Sequence, residues 1–301
     1  MRLRPLSWMR AKPALPVGGE PLIARILRQL ASNGVCEAIL NLHHLPETIT
    51  RAVGAGAQFR VQVRYSWEDP VLGSGGGPRR AFSLTSSDEL LIVNGDTFTD
   101  VDLASLVAAH RGSNALATMA VIDHPHAHRH GGIAMTSDGW YTGTLRRGEG
   151  MHFVGVQVVR REAFAALTDG EPAATIGGVY DTLARARPGS IQGFRTQASF
   201  VDIGTPDTYV EACVALGGDV TRGARCQVAA SAQLSRCALW DDVVIEDDVS
   251  LTDCVVCDRV TLPRGSRYHR AVLLRPGDAP LGPHDRIEQH LHVAPFPTSG
   301  A

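Results

Sequence analysis

Lysine is almost absent from this chain. Of its 29 basic residues one is lysine, Lys12, which leaves 28 arginines. Long apolar runs are missing too: no stretch of about 18 such residues occurs, which excludes a membrane-spanning helix. A charge excess of either sign is also missing, the net charge being −2, so no electrostatic footprint for nucleic acid or a membrane surface is present. The N-terminus, Met1 to Arg10, lacks the apolar stretch and cleavage site of a secretory signal, and a cytoplasmic location is expected. Disulfide patterning is absent as well. The six cysteines include one close pair, Cys254 and Cys257, with no second pair or nearby histidines to complete a zinc site. Reduced, mostly buried thiols are expected in a chain this long.

What remains is an ordinary globular composition, 44% apolar over 301 residues, enough for one large domain and a smaller one. From Pro21 to about residue 216, helical and strand patterns alternate. Pro21 opens a helix whose apolar face is Leu22, Ile23, Ile26, Leu27 and Leu30, stopped at Gly34. A buried strand follows at 38–42, a helix at 46–53, a half-exposed strand at 61–65 and a helix capped by Asp102. Leu90 to Asn94 reads as a central parallel strand buried on both faces. This grammar predicts a doubly wound, Rossmann-like α/β domain over 1–216, with ligands outside the carboxyl ends of its strands. After Gly217-Gly218 a 17-residue period takes over, aligning Leu234, Leu251 and Tyr268, and Cys237, Cys254 and Ala271. It predicts a parallel β-helix over 217–275, with Asp241, Asp242, Asp247 and Asp248 at its corners. Cys237 and Cys254 become stacked apolar rungs. The tail, 276–301, has no period and is expected to be irregular.

Four motifs carry chemistry. Pro5 and Pro13 stiffen a basic loop bearing Arg4 and Lys12, which suits a polyphosphate. Leu72-Gly73-Ser74-Gly75-Gly76-Gly77 lets backbone approach a flat ligand, and its spacing excludes both the Walker and the dinucleotide fingerprints. Asn94-Gly95-Asp96 sets a carboxylate just past an apolar strand, where Mg²⁺ and phosphate oxygens could share it. Phe200-Val201-Asp202-Ile203-Gly204-Thr205-Pro206 repeats that device with Asp202, while Asp207 reads as a first-turn helix residue. His124, His126, His128 and His130 flank Pro125 and Gly131-Gly132 and read as a surface loop, as do His284, His290 and His292.

Together these pieces resemble the sugar-1-phosphate nucleotidyltransferases over roughly residues 2–216. Arg2, Leu3, Pro5, Leu6 and Lys12-Pro13 match the family's opening signature, and the glycine-rich stretch matches its nucleobase loop. Asn94-Gly95-Asp96 and Asp202-Ile203-Gly204 match its two metal-binding aspartates. The 17-residue repeat is similar to the left-handed β-helix that many members carry, and Asn41 to Glu47 looks most like the mannose-1-phosphate guanylyltransferase branch. Two departures stand out. In the family a buried strand and a Gly-x-Gly turn precede the arginine, whereas this sequence starts at Met1. Its usual Glu-Lys-Pro is replaced by a segment bearing Arg146 and Arg147.

The resemblance implies transfer of a nucleotidyl group from an NTP, first choice GTP, to a hexose 1-phosphate, first choice mannose 1-phosphate. Thymidylyl or uridylyl transfer to glucose 1-phosphate, or a non-catalytic sugar-nucleotide-binding regulator, are its alternatives. It assigns catalysis to Arg2, Lys12 and Asp96, and nucleotide binding to Leu72, Gly73, Ser74, Gly75, Gly76 and Gly95. Gly132 and Gly155 would bind the sugar phosphate, and Asp96 and Asp202 would share one Mg²⁺. A homo-oligomer through the β-helix is expected.

Overall fold

The structure is a computed structural model that describes residues 3–123, 132–145, 149–288 and 290–297. Backbone contacts divide the chain into two compact units. One gathers Met1–Arg28, Leu45–Gly54 and Val201–Ala301; the other gathers Gln29–His44 and Ala55–Phe200. None of the helices among the described residues is long and apolar enough to cross a membrane.

The second unit is built around a four-stranded sheet in the order Ile191–Arg195, Ala117–Ile122, His152–Arg160, Glu89–Val93. The first two strands run parallel and the other pairings are antiparallel. Phe82, Met119, Val121, Phe164, Tyr180 and Ile191 close its core. A separate parallel pair, Glu37–Leu42 with Gln62–Trp67, and a hairpin, Gly132–Met135 with Tyr141–Leu145, complete the strands. The Leu103–Arg111 helix starts where Asp102 accepts a hydrogen bond from Ser105 N at 3.0 Å.

Two strands depart from expectation. Glu89–Val93 is not central and parallel: its only ladder partner among the described residues is the antiparallel His152–Arg160 strand, and all five residues are partly exposed. Glu37–Leu42 was expected to be buried, yet only Leu42 is. An apolar run signals a tendency to burial; it does not encode which neighbour supplies it.

In the first unit the Pro206–Gly217 helix begins with Pro206 at its first position and a reciprocal cap between Thr205 and Thr208. Behind it, strands recur every 17 residues in two parallel ladders. One stacks Val220 on Cys237, Cys254 and Ala271; the other stacks Val244 on Thr261. Leu239, Ile245, Leu251, Val256, Leu262 and Leu273 fill the interior. The corners use left-handed backbone at non-glycine residues, again 17 apart: Arg225, Asp242 and Arg259, then Arg236, Asp253 and Arg270. Their charges alternate, so each costly conformation is flanked by an opposite charge one turn away, as in the forked Arg225–Asp242 pair at 2.5 and 2.7 Å. The tail carries two further strands among its described residues. Leu291–Pro295 adds antiparallel to Arg267–Leu274, and Arg286–Glu288 adds to it in turn. His292 is no surface residue either: it is fully buried, 2.6 Å from Asp285. Antiparallel addition has no 17-residue signature, which hides it from a search for periods.

Candidate active site

In the second unit the glycine-rich segment is a helix, Gly73–Ala81. Four glycines and Pro78 make it a poor helix by propensity, so tertiary contacts must hold it. They come from two sides. Gly75 N donates to Ala173 O at 2.8 Å, Ala173 N to Leu72 O at 2.9 Å, and Thr175 N to Ser74 Oγ at 2.9 Å. On the other side the buried Glu68 accepts from Leu72 N at 2.8 Å with Oε2, and from Asn41 Nδ2 with Oε1. A carboxylate at a helix start also meets the positive end of its dipole.

The glycines serve this packing. A Cβ on Gly76 would lie 2.5 Å from Glu171 O, and one on Gly77 would lie 2.6 Å from Asn41 Nδ2 and 2.8 Å from Glu68 Oε1. Gly75, Gly76 and Gly77 are buried, so only Gly73 and Ser74 of the segment remain open to a ligand. Leu72 is a buried anchor. Sequence reasoning missed Glu68, although the acidic pair Glu68-Asp69 shortly before a glycine run was a usable signal.

Asn94-Gly95-Asp96 forms the turn that leaves Glu89–Val93. Asn94 N donates to Gly155 O at 2.8 Å. Gly155 sits at φ +82° where the register of His152–Arg160 shifts, and a Cβ there would be 2.7 Å from Thr97 Oγ1. Gly155 therefore props the Asp96 turn, and Thr97 Oγ1 is buried beside it without a hydrogen-bond partner among the described residues. Gly132 is likewise closely covered, since a Cβ there would run into Glu149 O. Nearby, Tyr141 Oη donates to Asp181 Oδ1 at 2.5 Å, and Gly177 N donates to the same oxygen at 2.9 Å. Burial and that carboxylate push the Tyr141 phenol well above its usual range.

In the first unit Lys12 opens a single helical turn, Lys12–Ala14, with Pro13 at its start. Ala11 N donates to Thr48 Oγ1 at 3.1 Å, and Arg25 donates to Val17 O at 2.8 Å and Gly18 O at 2.9 Å. Asp202 ends the Phe200–Asp202 strand, its carboxylate folded over Gly204, where a Cβ would lie 2.7 Å from Oδ2. Asp207 stands in the first helical turn and pairs with Arg270 at 2.5 Å. Arg2, His124, His126, His128, His130, Arg146 and Arg147 lie outside the described residues. Among the described residues no three His, Cys, Asp or Glu side chains cluster as metal ligands.

Residues 1–145 match the model of the nucleotidyl transferase family. The chain is 26% identical over 226 residues to a mannose-1-phosphate guanylyltransferase of Mycobacterium tuberculosis, covering 74% of this chain and 62% of that protein. It is 29% identical over 208 residues to an N-acetylmuramate alpha-1-phosphate uridylyltransferase of Neisseria meningitidis, covering 68% and 88%. The chain is similar to the sugar-1-phosphate nucleotidyltransferases. Its α/β fold agrees: HddC from Yersinia pseudotuberculosis superposes with a TM-score of 0.62 at 22% identity, over 71% of this chain and 93% of that one. The relatives named in this family are enzymes. The chain spans just under two thirds of the mycobacterial relative and most of the meningococcal one.

Proposed function

We propose that this chain transfers a nucleotidyl group from an NTP to a hexose 1-phosphate and releases pyrophosphate, with GTP and mannose 1-phosphate the first pair to test. The observation that carries the reading is the Asp96 turn, held by the Gly155 carbonyl at the end of an apolar strand. The sugar phosphate is itself the nucleophile, so no general base is needed, and catalysis reduces to positioning and charge neutralisation. Lys12 and Arg2 neutralise phosphate charge, and Gly73 and Ser74 face the nucleobase, with Leu72, Gly75 and Gly76 fixing their backbone. Gly95 gives the Asp96 turn its freedom. Gly132 and Gly155 border the sugar-phosphate position.

Two carboxylates on strand ends are hard oxygen donors that suit Mg²⁺, which binds through one or two carboxylates plus phosphates and water. Asp96 and Asp202 are the proposed holders, and Gly204 leaves room for the Asp202 carboxylate. The ion would supply charge neutralisation at the phosphates. The 17-residue stack is read as a left-handed β-helix over 217–275 that supports an oligomer, following a transferase domain over 1–216. Uridylyl transfer is the second reading, favoured by the meningococcal relative and by a UTP–glucose-1-phosphate uridylyltransferase of Synechocystis, 31% identical over 129 residues.

A pyrophosphate-release assay over four NTPs and a panel of sugar 1-phosphates tests the proposal. Asp96→Asn should abolish the activity found. Release that persists in Asp96→Asn, or release without any sugar phosphate, would overturn the reading.

A further inference from the structure

We propose that the 17-residue stack positions the Lys12 loop, through Arg10, and so tunes the phosphate chemistry from outside the reacting centre. The inference rests on the reading of Lys12 as a phosphate ligand. Its physical basis lies wholly within the first unit. Lys12 sits between two anchors on the same strip of chain. On one side the Arg10 guanidinium stacks over the Trp240 ring, 4.7 Å from its centroid, and donates to Asp258 Oδ2 at 2.6 Å. Asp258 also accepts from Asp241 N at 3.0 Å, which locks the carboxylate across two turns of the stack. On the other side Tyr209 Oη donates to Pro16 O, and Trp240 Nε1 donates to Tyr209 Oη at 3.0 Å. Trp240 therefore serves both anchors, and it is 1% exposed.

Between the anchors little freedom is left. Pro13 and Pro16 fix two backbone torsions, Leu15 N closes the turn on Lys12 O at 3.1 Å, and Ala11, Ala14 and Leu15 are buried. The loop cannot choose its own place; it stands where its ends are held. A guanidinium that is both stacked and hydrogen-bonded to a carboxylate is a directional tie that another side chain would not reproduce. Arg10, Trp240 and Asp258 are thus assigned as positioning residues, acting on Lys12 through the ends of its loop.

Because Lys12 is the sole lysine, the test works whichever sugar the chain accepts. Amine-directed labelling of the full chain reports Lys12 and the N-terminus only, and mass spectrometry separates the two. Labelling of Lys12 is followed against increasing GTP, UTP, ATP and dTTP in turn, each with magnesium, for the parent chain, Arg10→Gln and Asp258→Asn. Arg264→Gln, at an exposed arginine of the same stack that pairs with Asp248 rather than with either anchor, serves as the control, and circular dichroism confirms the fold. We expect one nucleotide to protect Lys12 in the parent and in Arg264→Gln. Arg10→Gln should need roughly tenfold more of it and lose about ten- to a hundredfold in kcat, with the KM for sugar phosphate unchanged. Should Arg10→Gln fail to fold, Asp258→Asn carries the same expectation with the stacking intact. If no nucleotide protects Lys12 even in the parent, the reading of Lys12 is wrong and the inference falls with it. If the parent is protected and the folded variants match it in protection and kcat, the reading of Lys12 stands and the positioning role is refuted.

Discussion

Gly77→Ala isolates the reason for the glycine-rich helix. In a helix interior alanine is ordinarily better than glycine by about 1 kcal/mol. Here the new methyl would sit 2.6 Å from Asn41 Nδ2 and 2.8 Å from Glu68 Oε1, closer than side-chain carbons approach such atoms. Glu68 cannot retreat cheaply, being 7% exposed and tied to Leu72 N. Asn41 must therefore swing away, and its hydrogen bond to a buried carboxylate, worth about 1.5–3 kcal/mol, is lost. Setting that loss against the propensity gain leaves a net destabilisation of about 0.5–2 kcal/mol. Urea unfolding followed by tryptophan fluorescence measures it directly. Gly178→Ala is the matched control, because its new methyl would meet nothing nearer than Ala174 Cβ at 3.6 Å. It should be neutral or stabilising by up to about 1 kcal/mol. Equal or greater stability of Gly77→Ala would show that the glycine is not there to admit Asn41 and Glu68.

Three further outcomes are expected. His110 is fully buried against Thr118 Oγ1 at 2.9 Å, and burial, aided by Arg160, lowers its pKa below the ordinary 6.5. The unfolded chain then binds the proton more readily, so stability should fall as pH drops below 6.5 toward the folded value; His110→Asn should flatten that part of the profile in thermal melts across pH 5–8. Burial pushes the Cys213 and Cys237 thiols up to about 11 and Cys254 up to about 12, while Cys36 is exposed, so Ellman's reagent on the native protein should modify Cys36 first and the buried thiols only after unfolding. Leu251→Ala removes a 1%-exposed rung and should cost about 2–5 kcal/mol in the same urea assay.

Legibility in the sequence tracked the distance over which a contact is made. The stack was readable because each rung meets its copy 17 residues away, so Leu234, Leu251 and Tyr268 declare their shared environment as a period. The helix at 46–53 and the Asp102 cap were readable because capping and amphipathic spacing act within one or two turns. The edge position of Glu89–Val93 was not, since strand order depends on residues 152–160, far along the chain.

The same rule explains the candidate site. Its motifs stood out as local strings, yet the reason for each glycine was written elsewhere: in Ala173 for Gly75, in Glu171 for Gly76, in Asn41 and Glu68 for Gly77, in Asn94 and Thr97 for Gly155. A glycine-rich string announces a close approach without naming who approaches, and the ligand is the obvious guess. In this chain three of the four glycines in the Gly73–Gly77 run are buried in protein, and Gly73 with Ser74 is the exposed end, although a Cβ on Gly73 would also lie 2.9 Å from Ala173 O. Substitutions at Gly75 to Gly77 should therefore show first in stability, whereas Ser74→Ala should show in nucleotide affinity as well as in the loss of the hydrogen bond from Thr175 N. That contrast follows from packing, whichever nucleobase is offered.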